Sequence, residues 1–119
     1  MITAYQVTGG TPLHGSVRIG GAKNASFKIM IAALMGAGES TLLNLSRISD
    51  VETVAAITGQ MGAEVKSTGE RALSINPDQL NTSDLSQSNG AQGRFSSMFI
   101  PVLLHRFGQA IVPLPGGDK

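Results

Sequence analysis

The fold is decided by residues 49–75, which read SDVETVAAITGQMGAEVKSTGERALSI. The first half places apolar residues at helical spacing, and an S-x-x-E capping box at 49–52 predicts where this helix begins. Gly62 is predicted to end the helix as a C-terminal cap. Two alternating runs, 63–67 and 71–75, then predict a β-hairpin. A helix followed directly by a hairpin indicates an α/β fold.

Two further elements are predicted before this unit. Residues 2–19 contain two runs rich in β-branched or alternating apolar residues with glycines between them, which predicts an N-terminal hairpin. Residues 25–34 form an apolar helix that we expect to be buried on nearly all sides, and the short apolar run 41–45 suits a buried strand.

The elements predicted after the hairpin are less regular. Residues 76–92 are rich in Asn, Asp, Ser and Gln and predict a polar connection with short turns. A helix is predicted over 94–106, with a kink or a new turn at Pro101 and an end at Gly108. Residues 109–114 then predict a strand.

The composition excludes several classes of protein. A chain of 119 residues with 41% hydrophobic content fits one small domain. Its net charge is +1 and 14% of its residues are charged, which argues against a nucleic-acid partner. It contains no cysteine, so disulfides and thiolate metal sites are excluded. The longest apolar run, 29–35, is far shorter than the roughly 20 residues of a membrane span, so we expect a cytoplasmic protein without a membrane partner.

Several separated motifs resemble the enolpyruvyl transferase family, in the branch that acts on UDP-N-acetylglucosamine. In chain order they are G-G-A-K-N-A at 20–25, G-E at 38–39, L-N at 43–44, I-S-D-V at 48–51, M-G-A at 61–63, Arg94, R-F-G-Q at 106–109 and L-P-G-G at 114–117. Linked motifs are more specific than any one of them. The related shikimate-pathway enzymes share the fold but differ from the G-A-K-N and L-P-G-G pattern, and they are the alternative.

This resemblance implies a fold larger than the chain. Family members are inside-out α/β barrels built from βαβαββ units in two domains. Residues 1–20 would be a hairpin of the second domain, and residues 21–119 the first part of the substrate-binding and loop-bearing domain, ending just after the active-site loop begins. A hairpin without its partner strands exposes an edge, so we expect self-association of the isolated chain.

The resemblance also implies the reaction. The enolpyruvyl group of phosphoenolpyruvate would be transferred to the 3-hydroxyl of UDP-N-acetylglucosamine with release of phosphate, without a cofactor or metal. These two molecules are the expected partners. Because family roles also fall on residues after Lys119, we expect no turnover by this chain alone. The alternative is a non-catalytic folding unit or binding module.

Three positively charged or polar residues are the candidate binding residues. Lys23 and Asn24 are predicted at a helix start, where a cation and backbone amides favour an anionic ligand. Without the resemblance, the residue types favour Asn24 as a helix cap and Lys23 as a solvated surface residue. The resemblance implies that Lys23 contacts phosphoenolpyruvate and also takes part in catalysis, that Asn24 contacts the substrates, and that Arg94 binds the UDP-sugar.

Asp118 is the candidate general acid. Family members commonly have a cysteine at this position of the mobile loop, where it protonates C3 of phosphoenolpyruvate. An ordinary aspartate, with a pKa of about 3.9, is ionised at neutral pH, whereas a cysteine near 8.5 keeps its proton. Asp118 would therefore need a raised pKa, and without the resemblance it is an ordinary Gly-Gly-Asp turn residue. Fosfomycin, which alkylates the family cysteine, would find no thiol here.

Overall fold

A computed structural model describes residues 3–88 and 90–114, with no account of the side chains of residues 90 and 91. Within this part, the elements are α1 (Lys23–Ala33), β1 (Ser40–Leu42), α2 (Ser49–Gln60), β2 (Glu64–Gly69), β3 (Ala72–Asn76), α3 (Gly90–Ser96), a 3₁₀ turn (Ser97–Phe99) and α4 (Ile100–Phe107). The predicted α/β class is confirmed. The complete barrel of βαβαββ units remains a prediction.

The three strands form one antiparallel sheet in the order β1-β3-β2. Thr41 pairs with Ser74 on one side of β3, and Val65 pairs with Ile75 on the other. The predicted hairpin is therefore confirmed as β2 and β3, with its turn one residue later than expected, at Glu70 and Arg71. The predicted strand over 41–45 is shorter and is β1.

The central helix α2 ends as predicted but begins differently. The N-cap is Ile48, in an extended conformation without a side-chain cap, and Ser49 is already helical. The predicted capping box is therefore wrong. At the other end Gly62 has φ +99°, its N–H donates to the Gly59 carbonyl, and the next N–H donates to the Thr58 carbonyl. This is a Schellman motif, which satisfies the last helical carbonyls.

The core lies between α1, α2, the sheet and the helices that follow it. It consists of Phe27, Met30, Ile31, Leu34, Leu45, Val51, Val54, Ile57, Met61, Ala63, Ile75, Leu85, Phe95, Phe99, Val102 and Leu103. On α1 the buried residues recur at helical spacing, whereas Lys28 and Ile29 are exposed. The expectation that α1 is buried on nearly all sides is wrong, because one face is open.

The predicted helix over 94–106 is divided into three pieces. Pro101 lies in the first turn of α4, where its missing N–H costs no hydrogen bond. Gly108 has φ +72° and its N–H donates to the Leu104 carbonyl, which confirms the predicted end. The strand expected over 109–114 is reduced to one parallel bridge between Asp84 and Ile111. Two backbone bonds of 2.7 and 2.9 Å join residues 83–85 to Ile111.

The N-terminal segment does not form the predicted hairpin within residues 3–22, which contain no strand. Its apolar side chains are almost fully exposed, among them Tyr5 at 88% and Leu13 at 95%. The described sheet pairs β1, β3 and β2 only with one another, and residues 3–22 join neither of its edges. No helix of the described residues has the length and apolar character needed to cross a membrane.

Candidate functional site

Two of the predicted site residues meet at one carboxylate. The Lys23 ammonium lies 2.7 Å from Oδ2 of Asp50, and the Arg94 guanidinium lies 3.2 Å from Oδ1 of the same group. Lys23 begins α1, Asp50 is in the first turn of α2, and Arg94 is in α3. Three helices thus contribute one charged side chain each to a single cluster, which we call the cation cluster.

The carboxylate forms the inner part of the cation cluster, and the two cations form its outer part. The Asp50 side chain is 14% exposed, whereas those of Lys23 and Arg94 are 57% and 61% exposed. The hydrogen bond from Lys23, together with attraction to Lys23 and Arg94, lowers the pKa of Asp50 below its ordinary value, although burial opposes this. Asp50 is therefore ionised at neutral pH.

Hydrogen bonds at the start of α1 fix the backbone that carries Lys23. The N-cap is Ala22, and its carbonyl accepts hydrogen bonds from the backbone N–H and the hydroxyl of Ser26, both at 2.9 Å. The Ser26 hydroxyl in turn accepts the backbone N–H of Ser46 at 2.9 Å. This buried serine therefore connects the first turn of α1 to the segment between β1 and α2.

An aromatic pair lies behind the cation cluster. Phe27, one helical turn after Lys23, packs edge-on against Phe95 with ring centroids 5.3 Å apart. The Arg94 guanidinium carbon lies 4.9 Å from the centroid of the Phe95 ring, within the range of a cation–π contact. The buried pair joins α1 to α3, the two helices that carry the cations.

Asn24 is the second residue of α1 and is exposed. It is not the N-cap, so the alternative reading of Asn24 as a helix cap is wrong. Asn24 follows Lys23 directly, so both residues belong to the first turn of α1. Asp118 lies outside the described residues, and its predicted role is untested.

The segment that leads to Asp118 lies beside α3. A Cβ built on Gly93 would be 4.0 Å from the Pro113 ring and 3.4 Å from the Ser88 carbonyl oxygen. Pro113 therefore passes close to the residue that precedes Arg94. The parallel bridge between Asp84 and Ile111 fixes the same segment two residues earlier.

Asp50 is the site residue that sequence reasoning missed. It was part of the I-S-D-V motif, but no local pattern connects it with residue 23 or residue 94. Its position in the first turn of α2 is also where acidic residues favour the helix dipole, a sufficient structural reason for an aspartate there. The signal that identifies it is the contact between helices.

Two recesses lie outside the cation cluster. A groove of 310 Å³ between α2 and the β2–β3 hairpin has Arg47 and Arg71 among its lining residues. A polar recess of 390 Å³ is lined in part by Gln60, Gln87 and Gln92. Neither is lined by Lys23, Asp50 or Arg94. Among residues 3–88 and 90–114, no group of three or more His, Asp or Glu side chains could hold a metal ion.

Comparison with known proteins places the chain in a family. The family model for EPSP synthase (3-phosphoshikimate 1-carboxyvinyltransferase) matches residues 7–119. The chain is 37% identical over 113 residues to UDP-N-acetylglucosamine 1-carboxyvinyltransferase 3 of Caldanaerobacter subterraneus subsp. tengcongensis, covering 95% of the chain and 27% of the relative.

Other relatives agree. The chain is 40% identical over 112 residues to UDP-N-acetylglucosamine 1-carboxyvinyltransferase 2 of Clostridium acetobutylicum and 31% identical over 112 residues to the Campylobacter hominis enzyme of that name. These matches cover 93% and 94% of the chain, and it spans 27% of the length of each relative. The chain therefore belongs to the EPSP synthase family of enolpyruvyl transferases.

Proposed function

We propose that the protein transfers the enolpyruvyl group of phosphoenolpyruvate to the 3-hydroxyl of UDP-N-acetylglucosamine, the first committed step of peptidoglycan synthesis. The names of the relatives support this acceptor. The observation that carries the proposal is the meeting of Lys23 and Arg94 at Asp50. Two exposed cations held together suit the binding of two anionic substrates, phosphoenolpyruvate and the UDP-sugar.

The cations retain donors for such a ligand. An ammonium has three N–H donors and a guanidinium has five, and each of these side chains makes one contact to Asp50. With more than half of each side chain exposed, the remaining donors are accessible. We assign Lys23 to phosphoenolpyruvate binding and catalysis, Asn24 to substrate contact and Arg94 to binding of the UDP-sugar.

In the proposed reaction the sugar hydroxyl gives its proton to a base as its oxygen forms a bond to C2 of phosphoenolpyruvate, and C3 takes up a proton. The resulting tetrahedral adduct then loses a proton from C3 while the bond from C2 to the phosphate oxygen breaks. The products are the enolpyruvyl ether and phosphate. The protein's task is to bind anions, orient the hydroxyl and supply and remove the C3 proton.

Asp118 is proposed as the C3 proton donor. Asp118 lies five positions after Pro113, and five extended residue steps span at most about 17 Å. Since Pro113 passes next to α3 beside Arg94, the chain is long enough to bring Asp118 to the cation cluster. An aspartate there would keep a proton if loop closure excluded water or brought a substrate anion near it.

The exposed N-terminal segment supports the proposed domain division. Apolar residues at 80% to 95% exposure, such as Val17 and Leu13, gain stability when they are covered. We assign residues 1–20 to a second domain of the complete protein. Residues 21–119 then form the first part of the domain that binds substrate and carries the loop.

The test is phosphate release by the complete protein supplied with phosphoenolpyruvate and one acceptor. We expect release with UDP-N-acetylglucosamine and none with shikimate 3-phosphate. Replacing Lys23→Met should lower kcat/KM for phosphoenolpyruvate by at least about 100-fold, as for other groups that stabilise transition-state charge. Lys28→Met, an exposed lysine of the same helix, is the matched control and should leave it unchanged.

Other outcomes lead to different conclusions. Release with shikimate 3-phosphate alone would identify the acceptor of the alternative branch. Release with neither acceptor would contradict the proposed activity and favour a non-catalytic module. An equal loss of kcat/KM in the Lys23→Met and Lys28→Met variants would contradict the role assigned to Lys23.

A further inference from the structure

We infer that Asp50 is a positioning residue for enolpyruvyl transfer, holding the Lys23 ammonium and the Arg94 guanidinium at a fixed separation. This inference rests on the proposed function. Each carboxylate oxygen takes one cation, Oδ2 that of Lys23 and Oδ1 that of Arg94. The two groups assigned to the anionic substrates are therefore held by the two oxygens of one carboxyl group.

The surroundings of Asp50 suit this role better than that of an ordinary surface ion pair. Exposed pairs are held weakly because both side chains are long and mobile. Here the central group has a short side chain, is 14% exposed and is carried by a helix whose buried residues pack in the core. Asp50 therefore provides a fixed reference point, and the longer cationic side chains adjust to it.

The negative charge of Asp50 has a second effect, which is to weaken the attraction of the cation cluster for an anionic substrate. Lys23 and Arg94 carry two positive charges, and Asp50 cancels one of them. If electrostatic attraction alone mattered, removing the carboxylate would strengthen binding of phosphoenolpyruvate. If position matters, removing it lets the two cations repel each other and lose their common anchor, and the reaction slows.

These two effects predict opposite results for Asp50→Asn, which keeps the size of the side chain and removes its charge. In the complete protein we expect kcat to fall about 100-fold, the order of loss that follows a displacement of reacting groups by about 1 Å. We expect KM for phosphoenolpyruvate to change by a smaller factor. Asp50→Glu restores the charge and should recover part of kcat.

Glu52→Gln is the matched control. Glu52 is also acidic and in the first turn of α2, but it is exposed and forms no ion pair within the described residues. Its replacement removes a negative charge from the start of α2 while the Asp50 carboxylate still contacts both cations. We expect kcat within twofold of the unaltered protein.

The result that would overturn the inference is an Asp50→Asn variant with unchanged kcat, or one whose loss is matched by Glu52→Gln. A lower KM at unchanged kcat would show that Asp50 tunes charge and does not position. Absence of turnover in the unaltered protein with either acceptor would instead remove the proposed function and this inference together. Turnover of the unaltered protein therefore distinguishes a failure of the proposed function from a failure of the Asp50 inference alone.

Discussion

Gly21 packs directly against the carbonyl oxygen of Asn44. A Cβ built on Gly21 would lie 1.7 Å from that oxygen, closer than any side-chain atom can approach it. Asn44 itself has φ +56°, a left-handed conformation that turns the chain after β1. This contact places the segment that follows β1 against the start of α1, one residue before the N-cap and two before Lys23.

Gly21→Ala should therefore destabilise the chain by about 3 kcal/mol, at the upper end of the usual cost of overpacking, because the methyl group must displace backbone atoms. The free energy of unfolding from a urea titration measures this. Since the displaced backbone carries Lys23, we also expect weaker turnover of the complete protein.

Gly59→Ala is the control for that substitution. Gly59 lies within α2, and a Cβ there would have no atom within 4 Å. Alanine is favoured over glycine inside a helix, so this variant should gain about 0.5–1 kcal/mol. Equal effects of the two alanines would contradict the close packing at Gly21.

Arg106 ties α4 to the C-terminus of α1. Its Nε donates to the Leu34 carbonyl at 2.8 Å, and its Nη2 donates to the Gly36 carbonyl. Arg106→Met keeps much of the apolar stem but leaves these carbonyls without their charged donor. Hydrogen bonds to charged groups contribute about 1.5–3 kcal/mol, and we expect a loss of roughly 2 kcal/mol in chemical denaturation.

Arg47→Met removes an arginine of a different kind. Arg47 pairs with Glu70 across an exposed surface, where the two side chains are 62% and 76% accessible. Such pairs contribute about 0–1 kcal/mol, so its loss should be small. If Arg47→Met lowers the free energy of unfolding as much as Arg106→Met does, the hydrogen bonds from Arg106 to the two carbonyls do not explain its contribution to stability.

Lowering the pH should reduce the stability that the ion pairs of Asp50 give to the folded chain. The pKa of Asp50 is lower in the folded chain than its ordinary value, so folding favours the ionised form. The stabilisation is complete above the unfolded pKa of about 3.9 and is lost as the pH falls through the lower folded pKa. Asp50→Asn should thus be less stable than the unaltered chain at pH 6, with the difference shrinking toward pH 2.

Thermal unfolding of both chains across this pH range measures the difference. Glu52→Gln serves as the comparison, since its carboxylate has no ion-pair partner in the described part of the chain. A gap between Asp50→Asn and the unaltered chain that stays constant from pH 6 to pH 2 would show that the titration of Asp50 is not linked to folding.

Asp118→Asn should lower turnover of the complete protein by about 10²–10⁴-fold, the contribution typical of a general acid. The asparagine is similar in size but has no proton to donate to C3. Phosphate release at several pH values measures the effect. Intact turnover in this variant would show that another group supplies the proton.

Fosfomycin gives an independent check of this position. The 119-residue chain has no cysteine, so incubation of this chain with the drug should add no mass. Asp118→Cys introduces a thiol and should gain the mass of one adduct, with loss of activity. An adduct on the unaltered protein would mean that a different nucleophile reacts.

Local chemistry explains the parts of the fold that could be predicted. Gly62 and Gly108 end helices in left-handed conformations that glycine adopts at little cost, and Pro101 starts α4 because it lacks an N–H. The alternation in 71–75 identified β3, which is the central strand and pairs with both β1 and β2. These signals are contained in a few adjacent residues.

The errors arose where residue types over a short stretch do not decide the helix boundary or the strand partner. The capping box failed because Ile48 takes the N-cap position and Ser49 enters the helix. Residues 109–114 look like a strand but make one bridge, to Asp84. The alternating apolar residues of the N-terminal segment predict strand pairing, yet this segment pairs with none of the three described strands.

The family, the α/β class and three cationic or polar candidates could be read from the sequence, because each is encoded by residue types at fixed spacing. The tertiary structure alone decided that Lys23 and Arg94 belong to one cluster and that Asp50 holds them. Residues 23, 50 and 94 are separated by 27 and 44 positions. Only the packing of Phe27 on Phe95 and of α1 on α2 brings them within reach of one carboxylate.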